Sequence, residues 1–212
     1  MRIEVFHDTV CPWCRIGEQH LFTALERWDG EPVELVWRAF QLDPGTPEGG
    51  LPYRETLEAK FGGAGRMDQM FSQVSAAGQA AGLDFRFDRI EVMPNTLLSH
   101  RLIAVAPEEK QTELLIAVNR AHFSEGRDTG QLEVLLDVAS SVGLDAAKLR
   151  EQLDRGEGAE QVQEDLDFGR QVGITGVPFY IMNGKYALTG AQPPETFLQV
   201  LKQIQDEAEE EK

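Results

Sequence analysis

Both cysteines of this 212-residue chain fall within one phrase, Cys11-Pro12-Trp13-Cys14. Two thiols at this spacing, on the first turn of a helix, can interconvert between dithiol and disulfide. A free thiol, with a pKa near about 8.5, is mostly protonated at neutral pH, so a redox cysteine needs surroundings that favour the thiolate. The start of a helix supplies them, because its N–H groups lack intrahelical partners and its dipole favours negative charge. Pro12 suits the first helical position, having no N–H to leave unpaired. The spacing assigns Cys11 as the nucleophile. Cys14, one turn deeper, becomes the thiol that resolves a mixed disulfide on Cys11. Trp13 projects between the sulfurs, either towards a peptide or thiol substrate or onto neighbouring residues.

Other uses of a cysteine pair fit less well. A disulfide here closes too few residues to restrict the unfolded chain much. A zinc site needs two more ligands, and His7, His20, His100 and His122 stand at no zinc-finger spacing. No metal is therefore expected, and His7 and His100 are noted only as neighbours of the site.

The elements around the motif must place it. Arg2-Ile3-Glu4-Val5-Phe6-His7 alternates apolar and polar side chains as a short strand does. Ile16, Leu21, Phe22, Leu25 and Trp28 then recur at helical spacing, and Val33 to Phe40 reads as a second strand. Pro and Gly crowd the loop from Gln41 to Pro52. Residues 53–173 read as almost wholly helical, with breaks at Gly82, at Met93-Pro94-Asn95, and near Gly126, Gly143 and Gly173. The run from Gly176 to Met182 is β-rich, Asn183-Gly184 supplies a hairpin turn, and Pro193-Pro194 opens a last helix. The organisation is βαβ, helical insertion, ββα: residues 1–50 and 174–212 form one discontinuous α/β domain, and 51–173 an all-helical insertion.

Val177-Pro178 is the second informative feature. A proline opening a strand cannot donate to a ladder and often belongs to a turn. Were its peptide bond cis, Val177 would turn outward near Cys11, leaving its N–H and C=O free to pair with an extended substrate.

The formal net charge of −16 argues against a surface that tracks nucleic-acid phosphates. No segment has the length of a membrane span, so no membrane partner is expected. The first residues carry no apolar signal-peptide core, which makes the cytoplasm the expected compartment. In a reducing compartment a lone CxxC is better explained by chemistry than by stapling. The acidic tail, Asp206 to Lys212, reads as a frayed and solvated helix end.

The phrase from Phe6 to Cys14, together with Gly176-Val177-Pro178, resembles the DsbA-like thioredoxin-fold oxidoreductases. Pro94-Asn95-Thr96, His100-Arg101-Leu102, the run from Phe123 to Asp128 and Gly190-Ala191-Gln192 narrow the resemblance to the FrnE-type branch. That branch is grouped with 2-hydroxychromene-2-carboxylate isomerases and kappa-class glutathione transferases. The resemblance implies a thioredoxin fold with an inserted helical domain, a cis proline at Pro178, and dithiol–disulfide exchange through Cys11 and Cys14. Pro12, Trp13 and Val177 would meet the substrate, a disulfide- or thiol-containing protein or small molecule. No cofactor is required; glutathione is a candidate redox co-substrate, and thioredoxin or glutathione a candidate for recycling. One departure concerns proton transfer. The buried acid that many thioredoxin-like enzymes carry six residues before the first cysteine is Val5 here, leaving Glu4, Asp8 and His7 as the nearest groups. The alternative function is a glutathione-dependent isomerase or transferase acting on a small aromatic compound, although those relatives usually carry Ser where Cys11 stands.

Overall fold

The structure is a computed structural model that describes residues 1–210. Strand β1 (Arg2–His7) lies in the middle of a four-stranded sheet of order β2-β1-β5-β6. It runs parallel to β2 (Glu34–Ala39) and antiparallel to β5 (Phe179–Met182), which pairs in turn with β6 (Tyr186–Thr189). Helix α1 (Pro12–Glu26) makes the crossover from β1 to β2. The last helix, α9 (Pro194–Glu210), packs beside α1. This is the expected βαβ–ββα arrangement of a thioredoxin-like fold. Being central, β1 is covered on both faces. Val5 joins one apolar cluster with Leu21 and Phe197, while Phe6 on the other face meets Phe168 with ring centroids 5.9 Å apart.

Between the two halves of the sheet run α2 (Tyr53–Phe61), α3 (Ala64–Ala80), α4 (Leu97–Val105), α5 (Glu108–Phe123), α6 (Leu132–Ser141), α7 (Ala146–Asp154) and α8 (Ala159–Gln171). A short ribbon, β3 (Leu51–Pro52) paired with β4 (Val92–Met93), straps the start of this segment, where only helix and loop were expected. Two residues per strand are too few to leave a period in the sequence. The apolar interior has two parts. One runs from Ile3, Val5 and Trp37 through Leu102, Leu114 and Leu135, joining the sheet to α4, α5 and α6. The other gathers Tyr53, Leu57, Met67, Phe87 and Phe123 against Ile16. Helix α1 is thus held on both sides, by the sheet through Leu21 and by an aromatic cluster through Ile16.

The hairpin forms as read, with Asn183 and Gly184 at φ +53° and +68°, a left-handed pair that suits these two residue types. Helix α9 continues to Glu210. Glu207 accepts from the Tyr186 hydroxyl, so the acidic end is docked on β6 rather than solvated throughout; Glu211 and Lys212 lie outside the described residues.

Strand β2 is the sheet edge next to α8, and one buried carboxylate ties it down. Asp165 accepts from Arg38 Nη1 at 2.8 Å and from the Ala39 N–H at 3.0 Å, while Arg38 Nε donates to Glu4 at 2.9 Å. Asp165→Ala would leave the Ala39 N–H without its partner and Arg38 with Glu4 alone, a loss of about 2 kcal/mol for the hydrogen bonds removed. Urea unfolding is expected to show a lowered midpoint with an unchanged slope. A midpoint equal to that of the parent protein would mean the edge is held by something else.

Candidate active site

Cys11 owes its position to the turn that leaves β1. The Cys11 N–H donates to the Asp8 carbonyl at 3.0 Å, and the Thr9 and Ser99 hydroxyls bond at 2.8 Å, fastening the loop to α4. Asp8 is engaged through both oxygens: Oδ2 accepts from the Leu42 N–H at 2.7 Å and Oδ1 lies 3.3 Å from His100 Nε2. The chain then enters α1 with Cys11 as N-cap, in extended conformation, its Sγ accepting from the Cys14 N–H at 3.3 Å. A sulfur in that role takes the place of a capping oxygen and faces the amides of the first turn. Pro12 occupies the first helical position.

From the far end of the sequence, the Val177 carbonyl comes to 3.7 Å from Cys11 Sγ. The Val177–Pro178 bond is cis. Val177 stands outside the ladder, whose first paired residue on β5 is Phe179, while the Pro178 carbonyl accepts from the Gly190 N–H at 2.8 Å. Cys11, Pro12, Trp13, Asp8 and Val177 together line one side of a cavity of 320 Å³. The helical segment supplies the other side with Tyr53, Leu57, Phe61, Met70, Phe71 and Phe87, and Lys60 is the cation among the lining residues. The ring of Phe71 stacks on Phe87 at 4.6 Å and on Tyr53 at 6.0 Å, giving that side a flat aromatic wall. Trp13 is 40% exposed, the most open member of the motif.

The two sulfurs are free and differ in surroundings. Both are buried, Cys11 at 4% and Cys14 at 1% exposure, but only Cys11 lines the cavity. Burial pushes the Cys14 thiol well above its ordinary range, reinforced by its hydrogen bond with Cys11 and by the charges of Cys11 and Glu18. Glu18 follows Cys14 by one turn and is fully buried. Its Oε2 accepts from Asn119 Nδ2 at 3.1 Å, and Oε1 has no partner. Burial raises this carboxyl to about 7, against the opposing effect of Arg15.

Sequence reasoning passed over Glu18, although the signal was present. Residues 14, 18, 21 and 25 recur at helical spacing on the buried stripe of α1, and a charged side chain in that stripe is unusual. His7, by contrast, is buried away from the cavity, with its ring edge-on to His100 at 5.2 Å and to Trp37 at 5.5 Å. Burial first, and then the neighbouring His100, hold its imidazole well below the usual range. Glu4 is spent on Arg38. The other two histidines lie apart from the His7–His100 pair: His20 Nδ1 lies 2.9 Å from the Gln192 carbonyl, and His122 sits beside Tyr53 and Phe123. Among the described residues no group of three or more His, Cys, Asp or Glu could hold a metal ion, and no helix is long and apolar enough to cross a membrane.

Comparison with known proteins places this geometry. The chain is similar to a probable DsbA oxidoreductase from Streptomyces coelicolor, with 35% identity over 96% of this chain and 89% of that one, at a TM-score of 0.88. The fold is also shared with a 2-hydroxychromene-2-carboxylate isomerase (14% identity, full coverage of both chains, TM-score 0.72). It is shared again with the cytosolic disulfide reductase DsbM from Pseudomonas aeruginosa, solved with glutathione (18% identity, 97% of this chain and 100% of that one, TM-score 0.67). The model of the DSBA-like thioredoxin domain matches residues 2–202, and the chain belongs to that family.

Proposed function

We propose that the protein is a thiol–disulfide oxidoreductase that cycles Cys11 and Cys14 between dithiol and disulfide through a mixed disulfide on Cys11. One observation carries the reading. Cys11 Sγ opens on a cavity and on the Val177 carbonyl, while Cys14 waits behind it on the next turn, shut off from that cavity. An incoming disulfide therefore meets one sulfur first, and the second can act only after the first bond has formed. An extended substrate can lie along Val177, whose N–H and C=O fall outside the sheet register, in the manner of an added strand. Pro12 and Trp13 would flank it.

The cavity beside Cys11 favours a substrate with an apolar or aromatic group next to its sulfur, whether a protein side chain or part of a small molecule. Glutathione is a candidate redox co-substrate, and thioredoxin or glutathione a candidate for recycling the site. The account requires no bound cofactor. Cys11→Ser is expected to abolish disulfide reduction in an insulin turbidity assay, whereas Cys14→Ser should accumulate a substrate adduct on Cys11, seen as added mass. Wild-type turnover by the Cys11→Ser protein would remove the basis of the proposal.

The second reading, a glutathione-dependent isomerase or transferase for a small aromatic compound, draws support from the aromatic wall of the cavity. It leaves Cys14 without a task. Calorimetry on the Cys11→Ser/Cys14→Ser protein separates the two, since covalent capture is then impossible. Weak or undetectable heat with glutathione is expected; micromolar binding, worth about −8 kcal/mol, would favour the second reading.

A further inference from the structure

Strand β2 ends the sheet, and its outer edge lies open. The Glu34 N–H donates to the Met1 carbonyl and the Phe40 N–H to the His7 carbonyl, so the even-numbered residues of this segment turn their backbone groups towards β1. By the alternation of a strand, Leu35, Trp37 and Ala39 turn theirs outward. Asp165 caps the Ala39 N–H, but the N–H and C=O groups of Leu35 and Trp37 have no partner among the described residues. A row of unpaired backbone groups is a template for another strand, and folded proteins usually blunt it with lysine, proline or a covering loop. Here a cleft of 620 Å³ runs along β2 from Glu34 to Ala39 instead. Glu108 and Glu109, in the first turn of α5, stand on one side of it, and Gln161 and Asp165 of α8 on the other.

Two observations say what the cleft takes. Its charge is unbalanced. Arg38 is already engaged by Glu4 and Asp165, which leaves Glu34, Glu108 and Glu109, none in an ion pair among the described residues, against Arg2 alone. At the inner end lies His7, buried, with Nδ1 unpaired. Buried polar atoms nearly always have a partner, so this nitrogen marks a place for one from outside the chain. We infer that the edge of β2 docks an extended basic segment of a partner protein, which adds as a further strand and sets lysine or arginine side chains against Glu34, Glu108 and Glu109. A second copy of this chain fits less well. The edge is recessed between helices, and another copy would bring the same helices and the same acidic charge to the contact. The cleft shares no lining residue with the cavity at Cys11, so a partner held along β2 leaves the sulfur free.

The probe is a fluorescent peptide of alternating lysine and valine, as long as β2, titrated into the full chain at low ionic strength with anisotropy as the readout. Saturable binding is expected. Leu35→Pro removes an outward N–H and no bond of the β1–β2 ladder, a change that edge strands accept. It is expected to weaken binding about 10-fold, the size of one lost hydrogen bond. Glu108→Lys/Glu109→Lys, at two exposed positions, should weaken it at least as much. A peptide methylated at every backbone nitrogen keeps its charge but cannot pair as a strand, and should bind as weakly; it decides the matter if Leu35→Pro fails to fold. Amide hydrogen exchange locates the site: on binding, Leu35 and Trp37 should become protected and Val177 should not. Absence of binding overturns the inference. Equal binding by the methylated peptide, or to Leu35→Pro, overturns it in favour of adsorption by charge alone. Protection at Val177 in place of Leu35 overturns it in favour of the groove beside Cys11. A dimer of the free chain that Leu35→Pro dissolves would give the edge to a second copy instead.

Discussion

The site exists because one sulfur is held between two parts of the chain that are 166 residues apart. The Asp8–Cys11 turn and the first amides of α1 fix Cys11 from one side, and the carbonyl of Val177 approaches it from the other at 3.7 Å. That meeting depends on the register of β1 against β5, where Phe6 pairs with Phe179. A shift of one residue would exchange the two faces of β5 and carry the Val177 loop away from the sulfur. Much of the rest serves this alignment. Helix α1 is clamped between the sheet and the aromatic cluster of the inserted segment, Thr9 is fastened to α4, and Asp165 pins the outer strand.

The same placement makes the two cysteines unequal. Cys11 takes the helix cap and the cavity, whereas Cys14 takes the interior, where burial favours its protonated form. In the proposed reaction, a buried sulfur that opens on the cavity and a protonated thiol behind it form an ordered pair: the first bond must form before the second sulfur has anything to attack. The inserted segment contributes to the order by walling the cavity with Tyr53, Phe71 and Phe87, so that what approaches Cys11 does so through an apolar passage. One apolar cluster runs without interruption from β1 into α4, α5 and α6, so the inserted segment and the sheet share a core.

Local chemistry was legible in the sequence wherever a local rule governed it. The strand alternation before Cys11, the proline at the first helical position and the Asn183-Gly184 turn each follow from residues a few places apart. The likeness carried by Cys11-Pro12-Trp13-Cys14 and Val177-Pro178 gave the fold and its insertion. What escaped is what only tertiary packing assembles. The β3–β4 ribbon has no period to read, and the aromatic wall comes from residues that looked like ordinary helix faces. Glu18 was hidden differently. It occupies a buried position of α1 that helical spacing marks out, whereas Glu4 and His7 of β1 and Asp8 in the turn after it are tied up in ion pairing, ring packing and loop fastening.

The central claim is that Cys11 meets substrate and Cys14 does not. Brief alkylation of the reduced protein with iodoacetamide at neutral pH, followed by peptide mass spectrometry, tests it most directly. The label is expected on Cys11, with Cys14 modified only after unfolding. Labelling of Cys14 first, or of both at equal rates, would contradict the account.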